Sequence, residues 1–247
     1  MLNEGSLLNM VQYHELSQFY DSLTRDQPYT SWRDIIEHYR EHRQTLLDIG
    51  CGTGNLTTLL RDFDTVFGMD LSIDMLTLAE QKSSNVQWVE ADMTDFDLGL
   101  QFDIVTILCD SLNYLASEQE VKQTFESIYQ HLTPGGLLIF DVHTEHKMQT
   151  WFNNQCYIDE TDQVFLAWEA VRGEEPLSVW HDLTFFVQNE DHTYHRINES
   201  HYQRTYTQDT YLKMLQEQGF TVINTFTDFE YDTCDAEGNR LFFIAKK

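Results

Sequence analysis

The sequence predicts an α/β fold, doubly wound and mostly parallel, and three observations carry that prediction. Short apolar runs alternate with helical periodicities from residue 46 to residue 142. A turn rich in glycine joins the first of these runs to the segment after it, in "TLLDIGCGTGNLTTLL", residues 45–60. From about 151 to 206 the pattern changes to extended, alternating, aromatic stretches, after which a helix and two strands return to the earlier type.

Taken in order, Leu16, Phe19, Tyr20 and Leu23, then Trp32, Ile35, Ile36 and Tyr39 after Pro28, fall at helical spacing and predict two amphipathic helices. Residues 46–49 read as a buried strand, and 55–60 as the opening of a helix directly after the glycines. A second strand follows at 66–70, then a helix from the N-cap Ser72 through 81 and a third strand at 86–90. The run 102–109 is a fourth strand, and Ser117 with Glu120 forms a capping box for a helix bearing Val121, Phe125 and Ile128. Pro134, Gly135 and Gly136 turn the chain into a fifth strand at 137–142. Alternation at this spacing predicts a parallel sheet with helices on both faces. The stretches 177–188 and 193–206 predict an inserted antiparallel sheet. Thr207 then caps a helix with Tyr211, Leu212 and Leu215 on one side and Gly219 as its stop, before strands at 220–229 and 241–245. The expected division is a core of 1–150 and 206–247 around a β-rich insertion, 151–205.

Composition narrows the function. With 41% hydrophobic and 13% aromatic residues but only 11 Gly and 3 Pro in 247, the chain is able to bury a sizeable core. Against 15 Lys plus Arg stand 41 Asp plus Glu, a formal charge of −26 that repels phosphate backbones and anionic membranes. Nucleic acid is therefore disfavoured as a partner. Cys51, Cys109, Cys156 and Cys234 lie far apart with no CxxC pair, the start carries no basic-then-apolar leader, and no stretch approaches the ~20 apolar residues of a membrane span. A cytoplasmic protein with reduced thiols is expected.

Gly50, Gly52 and Gly54 permit positive φ and let a ligand approach without meeting a Cβ. The dinucleotide fingerprint GxGxxG is not met, because the third glycine comes one residue early and Asn55 holds its place. Asp48 beside the turn would repel a pyrophosphate but suits a ligand with a cationic group there, and S-adenosylmethionine has an ammonium and a sulfonium. Its carboxylate is expected at the N-terminus of the following helix. No GxxxxGK[ST] stretch exists. Asp70, ending the second strand, is placed to accept from ribose hydroxyls, and Asp92 in "EADM" to accept from an adenine amino group, though either alone is also an ordinary loop or cap residue.

The stretches "LLDIGCGTGNL", "VFGMDLSIDMLTLA", "VQWVEADMTDF", "FDIVTILCDSLNYL" and "LTPGGLLIFDV" together resemble a class I S-adenosylmethionine-dependent methyltransferase, in the family's order, over about residues 45–143. The resemblance implies a seven-stranded Rossmann-like sheet, with Gly50, Gly52 and Gly54 lining the methionine end, Asp70 on the ribose, and Asp92 with Met93 at the adenine edge. Leu71 and Met75 would pack on the adenosine, and Cys109 with Asp110 would border the methionine and sulfonium. "FYDSL", the β-rich insertion and "SHYQRTYTQDTYLKMLQEQGF" resemble small-molecule N-methyltransferases more narrowly, which implies Tyr20 over the transfer centre and an acceptor pocket formed partly by the insertion. Acceptors other than a small amine, namely protein or RNA, and a noncatalytic cofactor-binding module remain alternatives.

An amine must be neutral to accept a methyl group, so a base or a desolvating wall is expected. His143 is the first candidate, with His181, His201 and Tyr202 as alternatives in the insertion, each having a structural reading too. Trp168, Trp180, Phe185 and Phe186 are able to stack an acceptor or to form the inserted sheet's own core. "HTEH" and "HTYH" pair histidines three apart, but neither has a third ligand nearby, and no metal is expected.

Overall fold

The computed structural model describes residues 21, 24, 27–161, 163–189 and 191–247. The expected helix around Leu16 to Leu23, and Tyr20 with it, lies outside the described residues apart from Asp21.

Two sheets organise the chain. The larger runs through β1 (Thr45–Ile49), β2 (Thr65–Asp70), β3 (Gln87–Glu90), β4 (Phe102–Ile107), β5 (Leu132–His143), β10 (Thr221–Thr227) and β11 (Arg240–Lys246). Its order is β10-β11-β5-β4-β1-β2-β3, with β11 antiparallel to β5 and β10 antiparallel to β11. The smaller sheet is antiparallel, β6 (Gln155–Glu160), β7 (Val164–Arg172), β8 (Ser178–Gln188) and β9 (Tyr194–Arg204).

Strand alternation sorts the apolar residues onto the two faces of the seven-stranded sheet. Leu46, Ile104, Ile139, Phe242 and Ile244 pack with Trp32, Ile35 and Ile36 of α1 (Tyr29–Arg40). Leu47, Val105, Phe140 and Phe243 pack on the other side with Val121, Phe125 and Ile128 of α3 (Glu118–His131) and Tyr211, Met214 and Leu215 of α5 (Gln208–Glu217). Between them in sequence come α2 (Ile73–Lys82) and a short α4 (Glu145–Thr150) that the sequence pattern does not reveal. Ser72, Thr207 and the reciprocal Ser117–Glu120 box close their helices through side-chain bonds to backbone N–H groups.

One local expectation is corrected. The residues after the glycine turn form only a 3₁₀ turn, Thr57–Leu59, not an α-helix. Thr57 is drawn into the core, where its hydroxyl bonds Asp48, and the chain re-enters β2 at Thr65, which leaves no length for regular turns. β5 also starts earlier than expected, at Leu132, with the Pro-Gly-Gly stretch inside it as an irregularity against β4.

The smaller sheet docks through α4. Met148, Phe152, Ala170 and Val179 form one buried cluster, while Val164, Phe185, Val187 and Ile197 form another within the sheet itself. The buried Asn113 fastens it to the core, donating to the Arg204 carbonyl at 2.8 Å and accepting from the His143 N–H at 2.9 Å.

Candidate functional site

At the carboxyl ends of β1, β2 and β4, where successive strands lie on opposite sides of β1, the chain leaves a crevice. It opens into a cavity of about 1120 Å³, closed on its far side by residues of β8 and β9. That exceeds the roughly 300–1,000 Å³ of a pocket for one small ligand.

The glycine turn forms the floor. Gly50 has φ +68°, and a Cβ on it would lie 2.6 Å from that of Ser111, whose hydroxyl donates to the Gly50 carbonyl. Gly54 has φ +75° and is needed for another reason: a Cβ there would meet the Trp88 ring at 2.5 Å. Gly50 and Gly52 line the cavity, whereas Gly54 packs beneath it. Four of the turn's N–H groups bond within the chain, those of Gly50 and Cys51 on the Met69 carbonyl, that of Gly52 on Asp70 and that of Gly54 on the Cys51 carbonyl. Only the 3₁₀ turn Thr57–Leu59 follows, so the α-helix N-terminus expected to take the ligand carboxylate is not formed directly behind this turn.

Asp70 is therefore a hinge of the floor as well as a wall residue. Its Oδ2 accepts from the Gly52 N–H at 2.8 Å and its Oδ1 from the Ser72 N–H at 2.9 Å; burial raises its pKa against those bonds. Asp48 is 3% exposed, and Thr57 and Thr106 hydroxyls donate to its two oxygens at 2.6 and 2.8 Å. Burial outweighs these bonds and pushes its pKa up to about 6. Leu71, Met75, Asp92 and Met93 line the same side of the cavity, with Asp92 held by the Thr94 N–H and hydroxyl at 2.9 and 2.7 Å.

Cys109 and Asp110, both cavity residues, have φ near +57° and +58°, a strained left-handed pair that turns the chain across the end of β4. Burial works to raise the Asp110 pKa, yet Arg240 and then neighbouring groups hold it well below the carboxylate range. Arg240 Nη2 lies 2.6 Å from Asp110, Nη1 donates to the fully buried Asp141, and the guanidinium sits over Trp32 at 4.9 Å.

His143 ends β5 behind Asp110 and is not among the residues lining the cavity. Its Nε2 is 2.9 Å from Gln203 Oε1 and 3.5 Å from Asp110, and its Nδ1 is 3.3 Å from Lys147 Nζ. With the lysine donating to Nδ1, the proton sits on Nε2, so both ring nitrogens are engaged. Burial, with Lys147 adding to it, drives the imidazole down to about 3. His181 shares Gln203 at 3.1 Å, accepts from Trp168 Nε1 at 3.0 Å and is likewise lowered by burial, to about 4. His201 pairs with Glu199 at 2.9 Å, and of the alternatives in the insertion only Tyr202 lines the cavity. Among the described residues no cluster of three or more ligating side chains could hold a metal ion.

Several wall residues are absent from the sequence reading: Ser111, Glu174, Glu175, Arg204 and, behind the wall, Arg240. Only Arg240 left a signal, as the one charge heading the apolar run "RLFFIA".

The sequence pattern of a methyltransferase domain family matches residues 46–136. A chain of Geobacillus sp. (strain WCH70) named as a methyltransferase is 38% identical over 247 residues, covering 96% of this chain and 100% of its own. The dTDP-3-amino-3,6-dideoxy-alpha-D-glucopyranose N,N-dimethyltransferase of Streptomyces fradiae is 33% identical over 108 residues, 43% of this chain and 42% of that one. Among solved structures, an S-adenosylmethionine-dependent methyltransferase from Clostridium acetobutylicum ATCC 824 superposes with a TM-score of 0.85 at 28% identity, over 95% of this chain and 98% of that chain.

Proposed function

Since the chain belongs to the class I S-adenosylmethionine-dependent methyltransferases, we propose that it methylates an amine of a small molecule held between the glycine floor and the four-stranded sheet. The observation that carries this reading is the cavity itself, which runs from the glycine floor to residues of the four-stranded sheet and is larger than a usual single-ligand pocket. The amino-sugar dimethyltransferase among the partial relatives supports an amine acceptor.

The wall residues fit the cofactor. The Asp70 carboxylate accepts from the Ser72, Gly52 and Leu71 backbone and has remaining acceptor capacity for the ribose hydroxyls. Leu71 and Met75 supply apolar contact for the adenosine, and Asp92 with Met93 takes the adenine edge. Asp48, Cys109 and Asp110, with Gly50 and Gly52, surround the methionine part, where two carboxylates face a cationic ligand. When bound, S-adenosylmethionine supplies a methyl group activated by its sulfonium. The chain's own task is then to orient the acceptor and exclude water, and orientation is worth roughly 7–11 kcal/mol in well-aligned systems. On this reading His143 is a positioning residue that steadies Asp110, because neither ring nitrogen is left to take a proton. Gly54 serves by its packing on Trp88.

Thermal unfolding with S-adenosylmethionine and with its demethylated product, using NAD as control, tests the cofactor site. At 100 times the dissociation constant a ligand adds about 2.7 kcal/mol. A rise of several degrees with the adenosylmethionine pair alone is expected; a rise with NAD instead would refute the site. Asp70→Ala is expected to weaken S-adenosylmethionine binding by about 1.5–3 kcal/mol, since a charged acceptor is lost and the Gly52 N–H is released. Calorimetric titration showing unchanged affinity would remove Asp70 from the site.

A further inference from the structure

The glycine floor and the wall opposite it, where Trp180, Tyr202 and Arg204 of β8 and β9 line the cavity, belong to different sheets. A short turn joins them. The left-handed pair Cys109 and Asp110 leads into a 3₁₀ turn, Ser111–Tyr114, whose first and last residues line the cavity while Leu112 and Asn113 are buried. At one end the Ser111 hydroxyl is bonded to the Gly50 carbonyl of the floor at 3.1 Å. At the other the Tyr114 ring stands edge-on to His201 of β9, with 6.0 Å between centroids.

Asn113 pins this turn to both sheets. Its amide nitrogen donates to the Arg204 carbonyl on β9, the edge strand of the smaller sheet, and its oxygen accepts from the His143 N–H at the end of β5. A carbonyl only accepts and an N–H only donates, so the orientation of the amide is fixed. An apolar side chain would leave both backbone groups unpaired at a wholly buried position, and aspartate would turn an oxygen toward the Arg204 carbonyl. Two further buried bonds hold β9 to β5: the Thr205 hydroxyl donates to the His143 carbonyl at 2.7 Å, and Gln203 Oε1 meets the His143 ring. Neither involves the turn. Asn113 is what brings in the segment that carries Asp110, Ser111 and Tyr114.

Resting on the placement of the cofactor on the glycine floor, we propose that Asn113 is a positioning residue for methyl transfer. It sets the acceptor wall in register with the cofactor and passes the ordering of one to the other. A ligand that holds Gly50 and Asp110 steadies the turn, and through Asn113 the steadied turn suppresses local opening of β9. The loaded protein thus presents a firmer acceptor wall than the empty one.

Hydrogen–deuterium exchange of the β9 amides in the full chain, with and without S-adenosylhomocysteine at 100 times the dissociation constant found by calorimetry, tests this. Ligand at that level depresses an opening that destroys its site by about 100-fold, so exchange in β9 is expected to slow by about tenfold or more. Asn113→Asp should still bind S-adenosylhomocysteine and lose that slowing. Ser111→Ala, which cuts the same link at the floor and leaves the buried amide in place, should lose it too, and decides the matter where the Asn113 variant does not fold. Thr205→Val should speed β9 exchange overall yet keep the ligand effect, a difference that a merely structural Asn113 would not produce. Binding with no slowing in β9, slowing that survives in the Asn113 and Ser111 variants, or its equal loss in Thr205→Val would each overturn the proposal alone. Absence of S-adenosylhomocysteine binding to the unaltered protein would overturn the cofactor placement, and this proposal with it.

Discussion

Arg240→Met should destabilise the protein by about 3–5 kcal/mol, the usual result of stranding a buried carboxylate by removing its partner. Asp141 is wholly buried, its Oδ1 has no hydrogen-bond partner among the described residues, and its Oδ2 takes the Arg240 guanidinium. Asp110 loses the same cation in the same step. Methionine keeps most of the apolar stem while the guanidinium, with its place over Trp32, is lost, so the change removes chiefly the charge. For a chain of this length that loss lowers the melting temperature by about 10 °C. Adding Asp141→Asn should return part of the stability, since the orphaned charge is gone. Cofactor affinity should stay low in the double variant, because Asp110 still lacks its clamp. Urea unfolding of both variants decides the matter: an Arg240→Met cost below 1 kcal/mol, or no rescue, would show that this ion pair does not hold the sheet.

Asp48→Asn should trade stability against binding, and the trade should depend on pH. The folded pKa of Asp48 is raised by burial to about 6, above its unfolded value. A carboxyl with a raised folded pKa favours the folded state fully below the unfolded pKa, and that contribution is lost as pH rises through the folded one. The span corresponds to about 3 kcal/mol. Asparagine does not titrate and remains able to bond both Thr57 and Thr106, whose hydroxyls donate or accept. The variant should gain on wild type by about 2 kcal/mol between pH 4 and pH 7. S-adenosylmethionine binding at neutral pH should weaken by at least tenfold (about 1.4 kcal/mol) if the charge faces the ligand's cation. Unfolding free energies of the two proteins that run parallel over that range would refute the assignment.

What the sequence disclosed and what it concealed divide along a physical line. β1, β2 and β4, the capping box at Ser117 and the caps at Ser72 and Thr207 are written in neighbouring residues, through period and hydrogen-bonding side chains. That Asp70, Asp92, Gly50 and Gly52 share one cavity wall was legible because they sit at strand ends next to one another in a fixed order. The Arg240–Asp141–Asp110 clamp was not, since its members come from β11, β5 and the end of β4 and meet only by strand pairing. Nor was the role of Gly54, which depends on a tryptophan contributed by β3. The 3₁₀ turn escaped because its residues carry a helical pattern that a tertiary bond from Thr57 overrides. His143 looked like a base from its position alone, while its partners Gln203 and Lys147 are set by the docking of the smaller sheet and α4.

The pairing of β5 with β11 reaches beyond the site. Asp141 and Arg240 are 99 residues apart in the chain, with the whole four-stranded sheet between them. Such non-local pairing makes assembly slow, and while it waits, β5 is an unprotected sheet edge almost entirely apolar from Leu137 to Val142. A segment able to recruit another copy of the chain is thus one that ends up inside the sheet, between β11 and β4. A formal net charge of −26 opposes that recruitment through like-charge repulsion between copies.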